Sequence, residues 1–210
     1  LTTRGVKQAQ ATGAWLRTEF HISDAHRWFD WCMVSEYVRA LETAAHLGIP
    51  DAQWYRSLYL RERDWGAMDT ISKEERHARF STALEERERD GFFWRPPGGE
   101  SMAELCLRVE RVLDTLHREC HEKNVVIVCH GEVMWAFRYI LERMTPQRYQ
   151  ELDASKDPRD QIHNGQVIHY TRRQPELAVE ARWLGWMRSV CPWDTTRSSN
   201  DWGLIVRGRS

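Results

Sequence analysis

Val125-Val126-Ile127-Val128-Cys129-His130-Gly131-Glu132 is the stretch that decides the fold class of this chain. Its five apolar or near-apolar residues, rich in β-branched side chains, predict a strand buried on both faces. The run breaks at a polar His-Gly pair, and the apolar periodicity from Val133 to Leu141 then predicts a helix. A strand of a parallel sheet delivers its C-terminal end to the crevice where open α/β folds bind ligands. Glycine there lets the backbone pass close to a ligand, and the next helix opens with N–H groups that favour anions. His130 therefore stands where an imidazole could touch a bound phosphate, although a histidine that merely ends a strand reads the same way.

Working outward, Thr2 or Thr3 can cap a first helix to about Glu19, with Val6, Ala9, Gly13 and Leu16 on its inner face. Phe29 to Val34 predicts a short buried strand, and Glu36 to Leu47 a helix closed by Gly48 and Pro50. An irregular insert covers about 51–101. Within it Tyr55 to Leu60 could be a strand, Lys73 to Glu88 is charged and helical, and Arg95-Pro96-Pro97-Gly98-Gly99 is a rigid loop. The charge run Glu85 to Asp90 reads as a solvated helix end. Met102 to His121 is a long amphipathic helix with Leu105, Val109, Val112 and Leu113 inward. Gln166 to Tyr170 and Ala178 to Trp186 predict two strands joined by a turn around Pro175. The alternation of strands and helices predicts one α/β domain over 1–210, a three-layer sandwich with a mostly parallel central sheet and helices on both faces. Such a sheet normally begins with a strand, yet this sequence begins with a helix.

With 210 residues, Lys+Arg 30 against Asp+Glu 31 and a pI near 6.8, the composition shows no general pull toward nucleic acid or anionic membranes. No apolar run approaches the roughly 18 residues of a membrane helix, and the start does not resemble a signal peptide. The five cysteines, 32, 106, 120, 129 and 191, are odd in number and widely spaced, which predicts reduced structural thiols in a cytoplasmic protein. The tryptophans are scattered and read mainly as core and pocket wall.

Three further segments share the logic of His130. Ser35 to Ala44 follows the strand ending at Val34 and places Arg39 in the first turns of the next helix, where a guanidinium can bind phosphate bidentately. It could equally be a surface arginine paired with Glu36 or Glu42. Leu60-Arg61-Glu62-Arg63-Asp64-Trp65-Gly66 sets a carboxylate beside a large aromatic, where desolvation can raise its pKa as a general acid requires; an ordinary salt-bridged loop is the plainer reading. Pro97 to Ser101 could form an anion nest, or Ser101 could simply cap the helix at 102, the reading favoured here.

Taken together, these segments resemble the histidine phosphatase superfamily, which includes cofactor-dependent phosphoglycerate mutases and acid-type sugar-phosphate phosphatases. The match runs through Leu1 to Ala9, Ser35 to Ala44, Leu60 to Gly66, Gly98-Gly99-Glu100-Ser101 and His130-Gly131, in order, over roughly residues 1–140. The resemblance implies that Arg39 binds phosphate, that Glu62 is the proton donor, and that His130 contacts the phosphoryl group. Arg63, Ser101, Gly131 and Glu132 are candidate substrate contacts. Glu132, an acidic neighbour of a phosphate site, either binds substrate hydroxyls or caps the following helix. No metal and no cofactor is implied.

One part of the family pattern does not occur: the nucleophile histidine of an Arg-His-Gly motif, which ends the first strand. His21, His26 and His46 follow no strand of the right kind. The first strand and the nucleophile thus fall in one segment, expected to precede Leu1. If Leu1 is instead the true start, the chain is a non-catalytic scaffold relative. Family mutases carry a tandem arginine pair in the insert, whereas Gly91-Phe92-Phe93-Trp94-Arg95-Pro96 has one arginine among aromatics, which favours a phosphatase. Those aromatics could face a ring-bearing substrate or pack as a lid. The expected partner is a small phosphorylated metabolite, with neither nucleic acid nor membrane; a homodimer is admissible. The stretch from about 183 to 210 extends beyond the match as an extra strand, a tail or an oligomer contact.

Overall fold

The computed structural model describes residues 1–22, 29–173 and 179–206. His26, the turn around Pro175 and the strand start at Ala178 lie outside the described residues. In chain order the elements are α1 (Thr3–Glu19), β1 (Trp31–Ser35), α2 (Val38–Leu47), β2 (Trp54–Ser57), α3 (Lys73–Arg89), α4 (Met102–Glu119), β3 (Val125–Val128), α5 (Gly131–Leu141), α6 (Pro146–Asp153), β4 (Val167–Thr171), β5 (Trp186–Val190) and β6 (Ser199–Leu204).

β1 is the centre of a parallel sheet ordered β2-β1-β3, with Met33 opposite Tyr55 on one side and Ile127 on the other. The two-residue period of a strand sorts its side chains between two cores. Cys32 and Val34, with Val126 and Val128, pack under α1 and α2 among Leu16, Phe20, Ala44 and Leu47. Met33 and Ile127 face the opposite way, into a cluster built by Leu105, Val109, Val133, Ala136 and Tyr149 of α4, α5 and α6. Helices therefore cover both faces, as the sequence predicts for an α/β sandwich. α1 and α2 meet so closely that a Cβ on Gly13 would lie 2.0 Å from the carbonyl oxygen of Leu47, which only glycine avoids.

β4, β5 and β6 form a second, antiparallel sheet, and β3 and β4 each lie at the edge of their own. The same helices nevertheless serve both sheets. Phe20, at the end of α1, packs with Val128 and stands edge-on to His169 of β4. At the end of α5, Glu142 accepts the Tyr170 hydroxyl at 2.8 Å.

Several boundaries move for local reasons. α2 opens at Val38 because Tyr37 keeps an extended backbone as its N-cap. β2 stops at Ser57, where a 3-10 turn, Leu58–Leu60, rotates Leu60 into full burial. The second late strand is Trp186–Val190 instead of 178–186, because Gly185 begins the pairing by donating to the Thr171 carbonyl. α6 was not anticipated, although Thr145-Pro146 supplies its cap and first-turn proline. α3 buries none of its residues, which fits its charged sequence. The final stretch contributes β5 and β6 to the second sheet.

Candidate active site

β1 and β3 are parallel neighbours, so the turns that follow them emerge side by side and start α2 and α5 at one end of the sheet. Among the described helices, α1, α3, α4 and α6 receive a cap bond from Thr2, Ser72, Ser101 and Thr145 respectively. α2 and α5 receive none from their N-cap residues, Tyr37 and His130. Two helix starts that their own N-cap side chains leave open thus bring their positive dipole ends to one place suited to an anion.

His130 is bonded through both ring nitrogens. Arg39 Nε donates to Nδ1 at 3.2 Å, and since arginine has only donors, the ring proton belongs on Nε2, which donates to Ser35 Oγ at 2.8 Å. Tyr37 stands edge-on to the imidazole with ring centroids 5.2 Å apart, and the Arg39 guanidinium lies 4.6 Å over the Tyr37 ring. Burial first, then the charges of Arg39 and Arg108, lowers the pKa of His130 to about 4. The imidazole is therefore neutral at pH 7. Arg39 itself is exposed, and its terminal nitrogens make no bond to the described residues.

Glu62 follows the 3-10 turn and is half-buried. Its carboxylate accepts the N–H of Arg63 at 3.0 Å, and the main-chain N–H of Glu132, in the first turn of α5, also favours its charged form. Desolvation raises its pKa and the Glu132 charge adds to that, against the two N–H groups and Arg39. A carboxyl held above its ordinary range suits proton donation.

The loop carrying Glu62 is fixed from two directions. Arg108 of α4 bonds both Glu100 oxygens, at 2.9 and 2.8 Å, and donates to the carbonyls of Tyr59 at 2.6 Å and Arg61 at 2.9 Å. Gly66 has φ +52°, and a Cβ there would fall 2.3 Å from the Pro97 carbonyl, so the Pro97-Gly98-Gly99 loop packs backbone against it.

The remaining sequence candidates occupy different positions. Gly131 faces open space: a Cβ on it would meet no atom within 4 Å. Ser101 is 5% exposed and forms a full capping box with Glu104, which is the capping reading. The Arg63 side chain is 0% exposed and its Nη1 lies 3.7 Å from Glu132 Oε2, which is itself sealed from solvent, while the Glu132 side chain as a whole stays 20% exposed. Of the insert aromatics, Phe92 and Trp94 are buried and only Phe93 is exposed, so the first two serve packing. Ser35, Tyr37 and Arg108 escaped the sequence reading. Their only signal was adjacency to the motifs, and for Arg108 a two-turn spacing from Glu100.

A separate polar cavity of about 250 Å³ lies at the start of α1, lined by Arg4, Gln8, His163, Asn164, Trp193 and Arg197 among others. It shares no lining residue with the Arg39–His130 group. Among the described residues no three His, Cys, Asp or Glu side chains gather as a metal site, and no helix is long and apolar enough to cross a membrane.

An arginine, a neutral histidine and a carboxyl whose pKa is raised thus gather at two helix starts on one end of an α/β sandwich, a place suited to a phosphate. The chain belongs to the histidine phosphatase superfamily, branch 1, whose family model matches residues 1–177. It is 31% identical over 158 residues to the 2,3-bisphosphoglycerate-dependent phosphoglycerate mutase of Methylobacterium radiotolerans, covering 72% of each chain. It is 34% identical over 134 residues to the 6-phosphofructo-2-kinase/fructose-2,6-bisphosphatase of Gallus gallus, covering 64% of this chain and only 26% of the relative's length. Among solved structures, the α-ribazole phosphatase of Shigella flexneri superposes with TM-score 0.65 at 22% identity, covering 88% and 83% of the two chains. A mycobacterial glucosyl-3-phosphoglycerate phosphatase in complex with inorganic phosphate gives TM-score 0.62 at 23% identity, covering 72% and 73%. The structural likenesses establish the fold.

Proposed function

We propose that this chain is the greater part of a metal-independent phosphomonoester phosphatase that acts through a phosphohistidine on a small phosphorylated metabolite. The observation that carries the reading is the convergence of Arg39, His130 and Glu62 at the uncapped starts of α2 and α5. Arg39, through its terminal nitrogens, and His130, once its Nε2–H exchanges Ser35 Oγ for a phosphoryl oxygen, bind the phosphoryl group and stabilise the charge that develops there. Glu62 protonates the leaving alcohol and then takes a proton from the water that hydrolyses the phosphoenzyme. The nucleophilic histidine comes from a strand outside this sequence. The support for that strand is that β3 and β4 each lie at an edge of their own sheet while contacts from α1 and α5 reach β4.

A mutase reading draws on the phosphoglycerate mutase relative. Against it, the stretch 91–96 carries one arginine, Arg95, in place of a tandem pair, and that arginine is ion-paired with Glu104 at the start of α4. The test uses the full-length protein with p-nitrophenyl phosphate in buffer containing EDTA. Phosphate release inhibited by vanadate, with an acid-labile phosphoenzyme trapped on quenching, is the expected result. Hydrolysis that needs added metal, or the absence of any phosphoenzyme, rejects the mechanism; transfer between phosphoglycerates outrunning hydrolysis rejects the phosphatase.

A further inference from the structure

Glu62 accepts the main-chain N–H of Arg63 at 3.0 Å, and the main-chain N–H of Glu132 also favours its charged form. The side chains of the same two residues meet on the buried side of the site. Arg63 is gripped there by the carbonyls of Glu100, from Nε at 2.8 Å, and of Trp94, from Nη2 at 3.2 Å. Its guanidinium also lies 5.3 Å over the Trp65 ring and 5.8 Å over that of Trp94. Its remaining nitrogen, Nη1, has no hydrogen-bond partner and points at Glu132 Oε2, also without one, 3.7 Å away. At that separation the two form an ion pair that is longer than a hydrogen bond. A buried guanidinium nitrogen and a sealed carboxylate oxygen that both lack a hydrogen-bond partner are costly and need a structural purpose.

We propose that Arg63 and Glu132 form a buried clamp that ties the Glu62 loop to the start of α5 and so positions the Glu62 carboxyl for proton transfer. The proposal rests on the reading of Glu62 as proton donor. The clamp acts in two ways. It fixes the distance between the two N–H groups that orient Glu62, since each belongs to a residue of the ion pair. It also places the Glu132 charge where it favours the protonated form of Glu62. The other groups facing Glu62 are Arg39 from α2, which opposes that effect, and the Cys129 thiol after β3, itself pushed up to about 12 by burial. Glu132 in turn is faced by Arg63, by Asp153 and Tyr149 of α6, and by Arg87 of α3. Burial raises its pKa, and Arg63 is the principal opposing charge.

Leaving-group dependence separates positioning from mere support, because p-nitrophenolate departs with little help whereas phenolate needs the proton. The experiment compares phenyl phosphate with p-nitrophenyl phosphate across pH for full-length wild type, Glu62→Gln, Glu132→Gln and Glu132→Asp. Glu132→Gln should lower turnover of phenyl phosphate about tenfold, a fraction of the 10²–10⁴-fold that a positioned acid supplies, and affect p-nitrophenyl phosphate less. Its high-pH limb should move to lower pH, since removing the Glu132 charge lets Glu62 lose its proton sooner. Glu132→Asp, which keeps the charge, should restore the limb. A Glu132→Gln enzyme with wild-type limb and wild-type substrate ratio, or with equal losses on both substrates, overturns the clamp. Glu62→Gln without selective loss on phenyl phosphate overturns the proton-donor reading itself, whatever Glu132 does.

Discussion

Arg39 holds the imidazole with Nε and offers the rest of its guanidinium to solvent. A single charge-assisted donor to a developing phosphoryl charge is worth about 3–4 kcal/mol of transition-state stabilisation. Arg39→Ala in the full-length protein should therefore lower kcat by roughly two to three orders of magnitude with an unchanged circular dichroism spectrum; a near-wild-type rate would remove Arg39 from the site. His130 gives a prediction about pH. Its pKa is lowered to about 4 by burial and the nearby arginines, and burial with Arg188 lowers His169 to about 4 as well. In the unfolded chain both titrate near their ordinary value of about 6.5. Between those values the unfolded state binds more protons, so native stability is full above pH 6.5 and declines as pH falls toward 4. Urea midpoints should drop from pH 7 to pH 5, and His169→Asn should flatten that slope. Arg39, Glu62 and His130 were legible in the sequence because each lies beside a strand end or an aromatic within a recognisable motif. The Arg63–Glu132 pair was not, because two residues far apart in the chain acquire a shared burial only once α5 docks against the loop.

Among the elements, caps were the most readable feature. Position before apolar periodicity offers Thr2 or Thr3 as the cap of α1 and Ser101 as that of α4; Thr2 and Ser101 make the bonds. Ser101→Ala removes the capping box of α4 and should cost about 1 kcal/mol, measured as a lower urea midpoint with an unchanged slope. The loss should extend to the site, because Glu100 beside that cap anchors Arg108, which holds the Glu62 loop. Element ends were harder to read. Tyr55 to Leu60 has the composition of a strand, but Leu60 can reach the core only if the chain turns after Ser57. Local propensity yielded there to tertiary burial. Gly66 shows the reverse, a residue whose positive φ and backbone contact were invisible without its partner loop.

At the scale of the molecule, the layer arrangement followed from strand and helix alternation, but strand order did not, since it depends on long-range pairing that no local window contains. The division into two sheets with β3 and β4 at their edges has a measurable counterpart. If a further strand joins them in the full-length protein, amides of residues 125–128 and 167–171 should exchange with solvent deuterium far more slowly there than in the 210-residue chain. Equal exchange in both would reject the joined sheet.

Those open edges also bear on handling. β3 reads Val125-Val126-Ile127-Val128, short, β-branched, uncharged and free of proline, with one side of its backbone unpaired within its sheet. Such an edge is a template for another strand of any origin, including the same strand of a neighbouring molecule. The 210-residue chain on its own should therefore aggregate as its concentration rises, with light scattering growing in step. Colloidal behaviour, more than catalysis, would then be the first property to report whether the sheet is whole.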